Sequence, residues 1–331
     1  MPELSLGLLF VLGLVLAAEF VNGWNDATNA IATVISTRVL SPSQAIVMAV
    51  LFNILGTMSG TAVAATIGKG IVSLDVVNLT SIAAALVAII LWGAPASYLG
   101  LPISITHALL GGLAGAGVAT GGLAALQWAG WRKVFIGLFF STFLGFVGGF
   151  ILMVLIYRLF AKRRPSTVRR LFGKIQILSA AFMAFSHGSN DGQKFIGVFS
   201  LVLLLAGIHS HFYVPIWAIL LCAVTMGLGT SIGGWSIIKT MGMRLTKLEP
   251  VHGFAAETAA AATIEIASRL GIPLSTTHTI ATAIMGVGAT RRFSAVRWGV
   301  TRDIVSAWVL TFPVCFVIAW GVAKLALLFA H

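Results

Sequence analysis

Long apolar runs broken by short polar stretches set the pattern of this chain. Residues 4–36, 43–67, 80–97 and 134–160 each read as an apolar segment of membrane-crossing length, for which about 20 residues suffice. The first run is interrupted at 22–29 by Asn22, Asn25, Asp26 and Asn29, which predicts a broken spanning helix or a helix followed by a short second one. A further break falls at Leu99-Gly100-Leu101-Pro102-Ile103-Ser104-Ile105-Thr106-His107, where Gly and Pro stop the helical pattern before another apolar run reaching about residue 120. Gly56-Thr57 with Gly60 puts small residues where helices can approach closely.

The pattern then repeats. Gly23-Trp24-Asn25-Asp26 returns as Gly188-Ser189-Asn190-Asp191, and Gly56-Thr57 with Gly60 returns as Gly229-Thr230 with Gly233. The longest internal match sets Leu270-Gly271-Ile272-Pro273-Leu274-Ser275-Thr276-Thr277-His278 against residues 99–107. Different motifs recurring in one order define a duplication. Residues 1–160 form a first repeat and 175–331 a second. Residues 161–174, with six basic side chains and no acid, form a linker.

Composition excludes a water-soluble fold. A chain of 331 residues with 58% hydrophobic and 9% charged residues, mean hydropathy +1.01, has too little polar surface to cover its apolar side chains. The fold class predicted is an all-α polytopic membrane protein of about 10–12 transmembrane segments, in two inverted-topology repeats with broken or re-entrant helices. The net charge of +12 sits in short loops and reads as topology rather than nucleic-acid binding. Cys222 and Cys315 lie in apolar segments and read as packing residues. Met1-Pro2-Glu3 carries no basic n-region, so the first segment is expected to stay in the membrane.

Charge asymmetry relates the halves. The loop 239–252 holds Lys239, Arg244 and Lys247 with one acid, whereas its counterpart 68–79 carries Lys69 and Asp75, which cancel. The loop 289–302 holds four arginines, whereas its counterpart near 119–133 has only Arg132 and Lys133. With 161–174 cytoplasmic, an odd number of passes per half puts the richer loops inside, inverts the halves and leaves both termini outside a cell membrane. Inverted repeats with interrupted helices are a construction of secondary transporters.

The repeated motifs offer complementary chemistry. In Pro-x-Ser-x-Thr-His the proline stops one helix and the next begins at Ser and Thr, where free backbone N–H groups and the helix dipole attract an anion. The hydroxyls of Ser104, Thr106, Ser275 and Thr277 can donate to a tetrahedral oxyanion held between two such tips, or simply cap their helices. Asp26 and Asp191, with Asn25, Asn29, Asn190 and Gln193, supply oxygens suited to Na⁺, or a carboxylate able to carry a proton. A structural pairing of the acids with Lys194 is the alternative. Glu257 is a further cation or proton candidate with Leu86 at its aligned position; Glu265 pairs with Arg269 at i, i+4, and Glu19 is cation-linked or structural. His107 and His278 fit better as supporting donors than as proton relays. His209, His211 and His252 are placed in loops.

These residues resemble the inorganic phosphate transporter (PiT) family. Gly23-Trp24-Asn25-Asp26 and His187-Gly188-Ser189-Asn190-Asp191-Gly192-Gln193-Lys194 are similar to its duplicated signature, and the repeated Pro-x-Ser-x-Thr-His to its second pair of elements. The resemblance covers essentially the whole chain and implies a cation-coupled phosphate importer. It implies phosphate binding by Asn25, Ser104, Thr106, Asn190, Gln193, Ser275 and Thr277. Cation coupling falls to Asp26, Asn29 and Asp191, joined by Glu257 from the residues alone, with Na⁺ at Asp26 and Asp191 as one option. Trp24 departs from the small residue usual in the first copy, and Gly192-Gln193-Lys194 resembles the bacterial low-affinity branch, leaving H⁺ or Na⁺ open. No cofactor is expected beyond that ion and a divalent metal carried with phosphate. Expected partners are inorganic phosphate and membrane lipid, with a homodimer open and nucleic acid excluded.

Three alternatives compete. Sulfate is a second tetrahedral oxyanion, although Asp26 and Asp191 favour an anion that can share a proton. An intramembrane hydrolase would use Ser275 and His278 as nucleophile and base, and a passive anion channel would need no coupling ion.

Overall fold

The computed structural model describes residues 5–26 and 28–329. Met1 and His331, and with them the extreme termini whose sidedness the charge pattern predicts, lie outside the described residues. The first half comprises α1 (Leu6–Asp26), α2 (Thr28–Ser36), α3 (Pro42–Thr57), α4 (Ala62–Gly70), α5 (Leu79–Leu99), α6 (Ile105–Gly121) and α7 (Trp128–Phe160). The second comprises α8 (Pro165–His187), α9 (Gln193–Leu205), α10 (Ile216–Ile232), α11 (Trp235–Lys239), α12 (Pro250–Arg269), α13 (Thr276–Ala289) and α14 (Trp298–Phe329). An isolated bridge between Val72 and Leu126 is the one β-type pairing among the described residues.

Five helical segments are long and apolar enough to cross a membrane alone, and seven do so if each of two bent pairs counts as one. The sequence suggested ten to twelve. The difference lies in α9 and α13, which have fewer than 18 residues, and in α8 and α12, which carry more polar and charged residues than the counted spans. The bent pairs are α3 with α4, at 68°, and α10 with α11, at 66°, matching the duplicated Gly-Thr segments.

The first break takes the second of its two expected forms: the chain is helical through Asp26 and a short second helix begins at Thr28, so the Asn-Asp motif rides on helices. Its second copy forms a π-helical turn at Gly188–Gly192 between α8 and α9. Within the basic stretch 161–174, Pro165 starts α8, and Arg169, Arg170 and Lys174 ride on its first turns.

The Pro-x-Ser breaks are genuine. Gly100 (φ 75°) ends α5 and Gly271 (φ 65°) follows α12 in the left-handed region, a conformation glycine adopts without a Cβ clash. The chain then runs extended to Ser104 and Ser275, the N-caps of α6 and α13.

Packing exchanges partners between the halves. α6 lies against α14 and α13 against α7, while α1 packs on α10 and α8 on α3. Glycines allow the last two crossings: a Cβ on Gly56 would strike the Phe185 carbonyl, and one on Gly229 the Phe20 carbonyl. Two apolar cores result. One is drawn mainly from α1, α4, α5, α6, α9, α10 and α14, the other from α2, α3, α7, α8, α11, α12 and α13. The repeats exchange one core for the other, so neither half encloses a core of its own.

Candidate functional site

The two Pro-x-Ser breaks converge. Ser104 Oγ and Ser275 Oγ lie 2.9 Å apart, each also accepting from the backbone N–H of its own third residue on, His107 at 3.3 Å and His278 at 3.2 Å. Capping and meeting are therefore simultaneous. The N-termini of α6 and α13, with their unsatisfied N–H groups and positive dipole ends, are aimed at one region inside the protein.

The Asn-Asp motifs flank these tips unequally. In the first half, Asp26 Oδ1 accepts from Thr277 Oγ1 at 3.0 Å and Oδ2 from the Ile105 N–H at 3.4 Å. Asn29 Nδ2 donates to the same Thr277 oxygen at 3.0 Å. In the second half, Lys194 occupies the place that Asn29 holds in the first and donates to Thr106 Oγ1 at 2.6 Å and to the Leu274 carbonyl at 2.7 Å. Lys194 also forms a buried ion pair with Asp191. Thr276 Oγ1 donates to Asp191 Oδ2 at 2.8 Å, and His187 Nε2 lies 3.3 Å from that oxygen. Thr106 and Thr277 are thus equivalent: each accepts from the opposite half's motif.

Lys194 forms the pairing that the sequence offered as the alternative for Asp191. An ammonium already sits on Asp191, so that carboxylate is not open to Na⁺ in this arrangement. Asp26 has no such partner, and the Oδ1 atoms of Asn25 and Asn29 are buried without a hydrogen-bond donor. A carboxylate with two orphaned carbonyl oxygens from the same segment suits a hard cation. Among the described residues no cluster of three or more His, Cys, Asp or Glu could hold a metal ion, so such a cation would rest on amide and hydroxyl oxygens as well.

The two asparagines share one kind of anchor, a serine hydroxyl, although Asn190 Nδ2 also donates to the Ile272 carbonyl at 3.3 Å. Asn25 Nδ2 donates to Ser97 Oγ at 2.8 Å, and Asn190 Nδ2 to Ser268 Oγ at 3.0 Å, while Asn190 Oδ1 accepts from the Leu274 N–H at 3.3 Å. Neither serine was singled out in the sequence. The signal was present, because Ala96-Ser97-Tyr98-Leu99-Gly100 and Ala267-Ser268-Arg269-Leu270-Gly271 extend the internal repeat just upstream of the prolines.

Two predicted site residues sit elsewhere. Gln193 Oε1 accepts from the Val63 N–H at 3.0 Å, so it caps the bent start of α4 rather than reaching the serine tips. Glu257 lies in a separate buried cluster, accepting from Thr33 Oγ1 at 2.5 Å, from Gln176 Nε2 at 3.0 Å and from Ser179 Oγ. All its donors are neutral. α2 connects the two regions, since Asn29 and Thr33 stand one turn apart on it.

The histidines behave as supports. His107 Nδ1 meets the Trp308 carbonyl at 3.0 Å, its ring stands edge-on to His278 at 4.7 Å, and His278 stacks on Trp308 at 3.9 Å. His278 meets Ser275 through its backbone N–H, not its ring, so the nucleophile–base pair of a hydrolase is not formed. His252 proves to be helical, in the first turn of α12, where Nδ1 accepts from the Glu249 N–H and Nε2 faces the Tyr157 hydroxyl at 3.0 Å. Glu265 pairs with Arg269 at 2.7 Å, as its spacing predicted.

This geometry defines a membrane protein built around two helix N-termini that meet inside it, with buried acids and amides beside them. The chain belongs to the phosphate transporter family, whose model matches residues 22–319. It is 42% identical over 322 residues to a Rhizobium meliloti (strain 1021) protein named probable low-affinity inorganic phosphate transporter, covering 96% of each chain. A Bacillus subtilis (strain 168) protein of the same name is 41% identical over 302 residues, covering 90% of this chain and 91% of the relative. A solved structure titled "The sodium-dependent phosphate transporter" superposes with a TM-score of 0.90 at 25% identity, covering 98% of this chain and 100% of the other. These relatives are transporters, not enzymes.

Proposed function

We propose that this chain imports inorganic phosphate across a cell membrane by symport with H⁺ or Na⁺, free or as a metal–phosphate complex. Phosphate would lie between the Ser104 and Ser275 tips, with Thr106, Thr277, Asn25 and Asn190 around it and Lys194 adding a positive charge. The coupling cation would lie at Asp26 with the free oxygens of Asn25 and Asn29. The observation that supports this reading is the 2.9 Å meeting of the two serine hydroxyls that cap α6 and α13, which brings two helix N-termini together.

Charge supports the cation half of the reading. Glu19, Asp26, Asp191 and Glu257 are all buried, and Lys194 is the one buried ammonium among the described residues. An ionised carboxylate at membrane depth costs at least about 2.5 kcal/mol without compensation. The three acids in excess therefore need protons or bound cations.

Other parts of the reading follow from the repeat. The halves are inverted, residues 161–174 and 239–252 face the cytoplasm, and the protein sits in lipid alone or as a homodimer. The test is radiolabelled phosphate uptake by the purified chain in proteoliposomes under imposed Na⁺ or H⁺ gradients. Sulfate serves as competitor, and Mg²⁺ is present or absent. Accumulation that collapses with one cation gradient and resists sulfate is the expected result. Equal uptake without any gradient would indicate a passive channel and overturn the symport.

A further inference from the structure

The site described above leaves two buried acids without a role, of which Glu257 is bonded by three side chains and Glu19 by one. Glu19 stands in the middle of α1, fully buried, one face with Asn22 and Asp26. Its Oε2 accepts from Asn22 Nδ2 at 2.9 Å, and its Oε1 has no hydrogen-bond partner.

The groups around it supply no compensating charge that is free to act. α10 presents Cys222, a buried thiol. From the turn before α9 and from α9 itself come Asp191 and Lys194, already paired with each other. α6 brings His107, held on the Trp308 carbonyl, while α2 carries no titratable side chain and α5 only the exposed Tyr98. A metal cation such as Ca²⁺ takes about six or more oxygen ligands. Glu19 offers its own carboxyl group, and the one side chain hydrogen-bonded to it presents an N–H. The chemistry left for the free oxygen is a proton.

The duplicated half sharpens the point. At the 165-residue offset that maps Asn25 onto Asn190, Glu19 falls on Ala184, a buried core residue, and Asn22 on His187. There His187 and Lys194 serve Asp191 directly. The second half neutralises its acid internally, whereas the first half keeps an additional one open.

We propose that Glu19 is a proton-carrying site of this transporter, loaded and unloaded once per transport cycle. On loading, an O–H bond of hydronium on the entry side breaks and an O–H bond forms at Oε1, leaving water. On unloading, the Oε1–H bond breaks and a water molecule on the exit side takes the proton as hydronium. The proposal rests on the symport reading and gives it a residue: H⁺ at Glu19, separate from the cation at Asp26.

The experiment uses the purified full chain in proteoliposomes with inorganic phosphate. Counterflow of radiolabelled phosphate by the wild type at equal pH on both sides tests transport itself, and its absence would sink the symport reading irrespective of Glu19. Infrared difference spectra then follow the C=O stretch of a protonated carboxylic acid as pH is changed, and the proton-to-phosphate ratio is measured at one fixed pH. Glu19→Gln is expected to remove that band and to lower the ratio by a proton. Glu19→Asp, which keeps the carboxyl group, should retain both, with the band at a shifted frequency, and serves if Glu19→Gln fails to fold. A wild-type ratio that Glu19→Gln leaves unchanged, or a band that neither variant alters, would overturn the proposal.

Discussion

Ser104 and Ser275, 171 positions apart in sequence, touch at 2.9 Å while each caps its own helix. One hydroxyl pair thereby joins the two repeats at the point where both helix dipoles end. An anion entering there would replace a serine–serine hydrogen bond with two bonds to charged oxygen, and such bonds are worth more than neutral ones.

Removing either hydroxyl should therefore weaken phosphate binding. Ser104→Ala and Ser275→Ala are each expected to raise the half-saturation concentration about tenfold or more, from a loss of about 1.5–3 kcal/mol per bond to a charged group. Each should also lower the melting temperature through the lost cap, worth about 1 kcal/mol. Uptake kinetics and detergent melting on the same variants separate the effects; stability loss with unchanged half-saturation would leave the serines as caps alone.

The two aspartates should fail differently. Asp26→Asn is expected to fold and to lose concentrative uptake, because an amide keeps the volume and the Thr277 contact but cannot balance a cation. Asp191→Asn strands the buried Lys194 ammonium, and breaking a buried pair costs about 3–5 kcal/mol. Its first symptom should be poor expression and a lowered melting temperature. The double variant Asp191→Asn/Lys194→Gln should recover much of that stability, and a thermal-melt double-mutant cycle checks the coupling.

Ser97 and Ser268 should prove equivalent. Ser97→Ala and Ser268→Ala each remove an acceptor from a buried asparagine amide, at a cost of about 1–3 kcal/mol. Similar losses of melting temperature in both variants are expected. A loss confined to one would show that the repeats hold their asparagines differently.

Sidedness is open to direct labelling. The C-terminal ends of α7 and α14 are repeat equivalents, so inversion puts them on opposite faces. Cysteines placed at Ser166, just after α7, and at Leu328, near the end of α14, should react with an impermeant reagent from opposite sides, the buried Cys222 and Cys315 staying silent. Labelling from the same side would refute the inversion.

The sequence alone determined a good deal: a helical membrane protein, duplicated, with breaks at Gly100 and Gly271 and helix starts at Ser104 and Ser275. Those features are local. Apolar run length, a proline, a glycine in the left-handed region and a capping serine act through the backbone beside them, so they are legible one segment at a time. What no segment carries is which side chain meets which across the repeats. Asn25 finds Ser97 and Asn190 finds Ser268, Lys194 settles on Asp191 and Thr106, and Gln193 turns away to cap α4. Those outcomes depend on the crossing of α6 with α14 and α13 with α7, on glycines that bring α3 against α8 and α10 against α1, and on two cores each shared between the halves. Burial then decides the partners, because a polar group removed from water bonds to whatever the packing places within reach, and only the assembled fold specifies what that is.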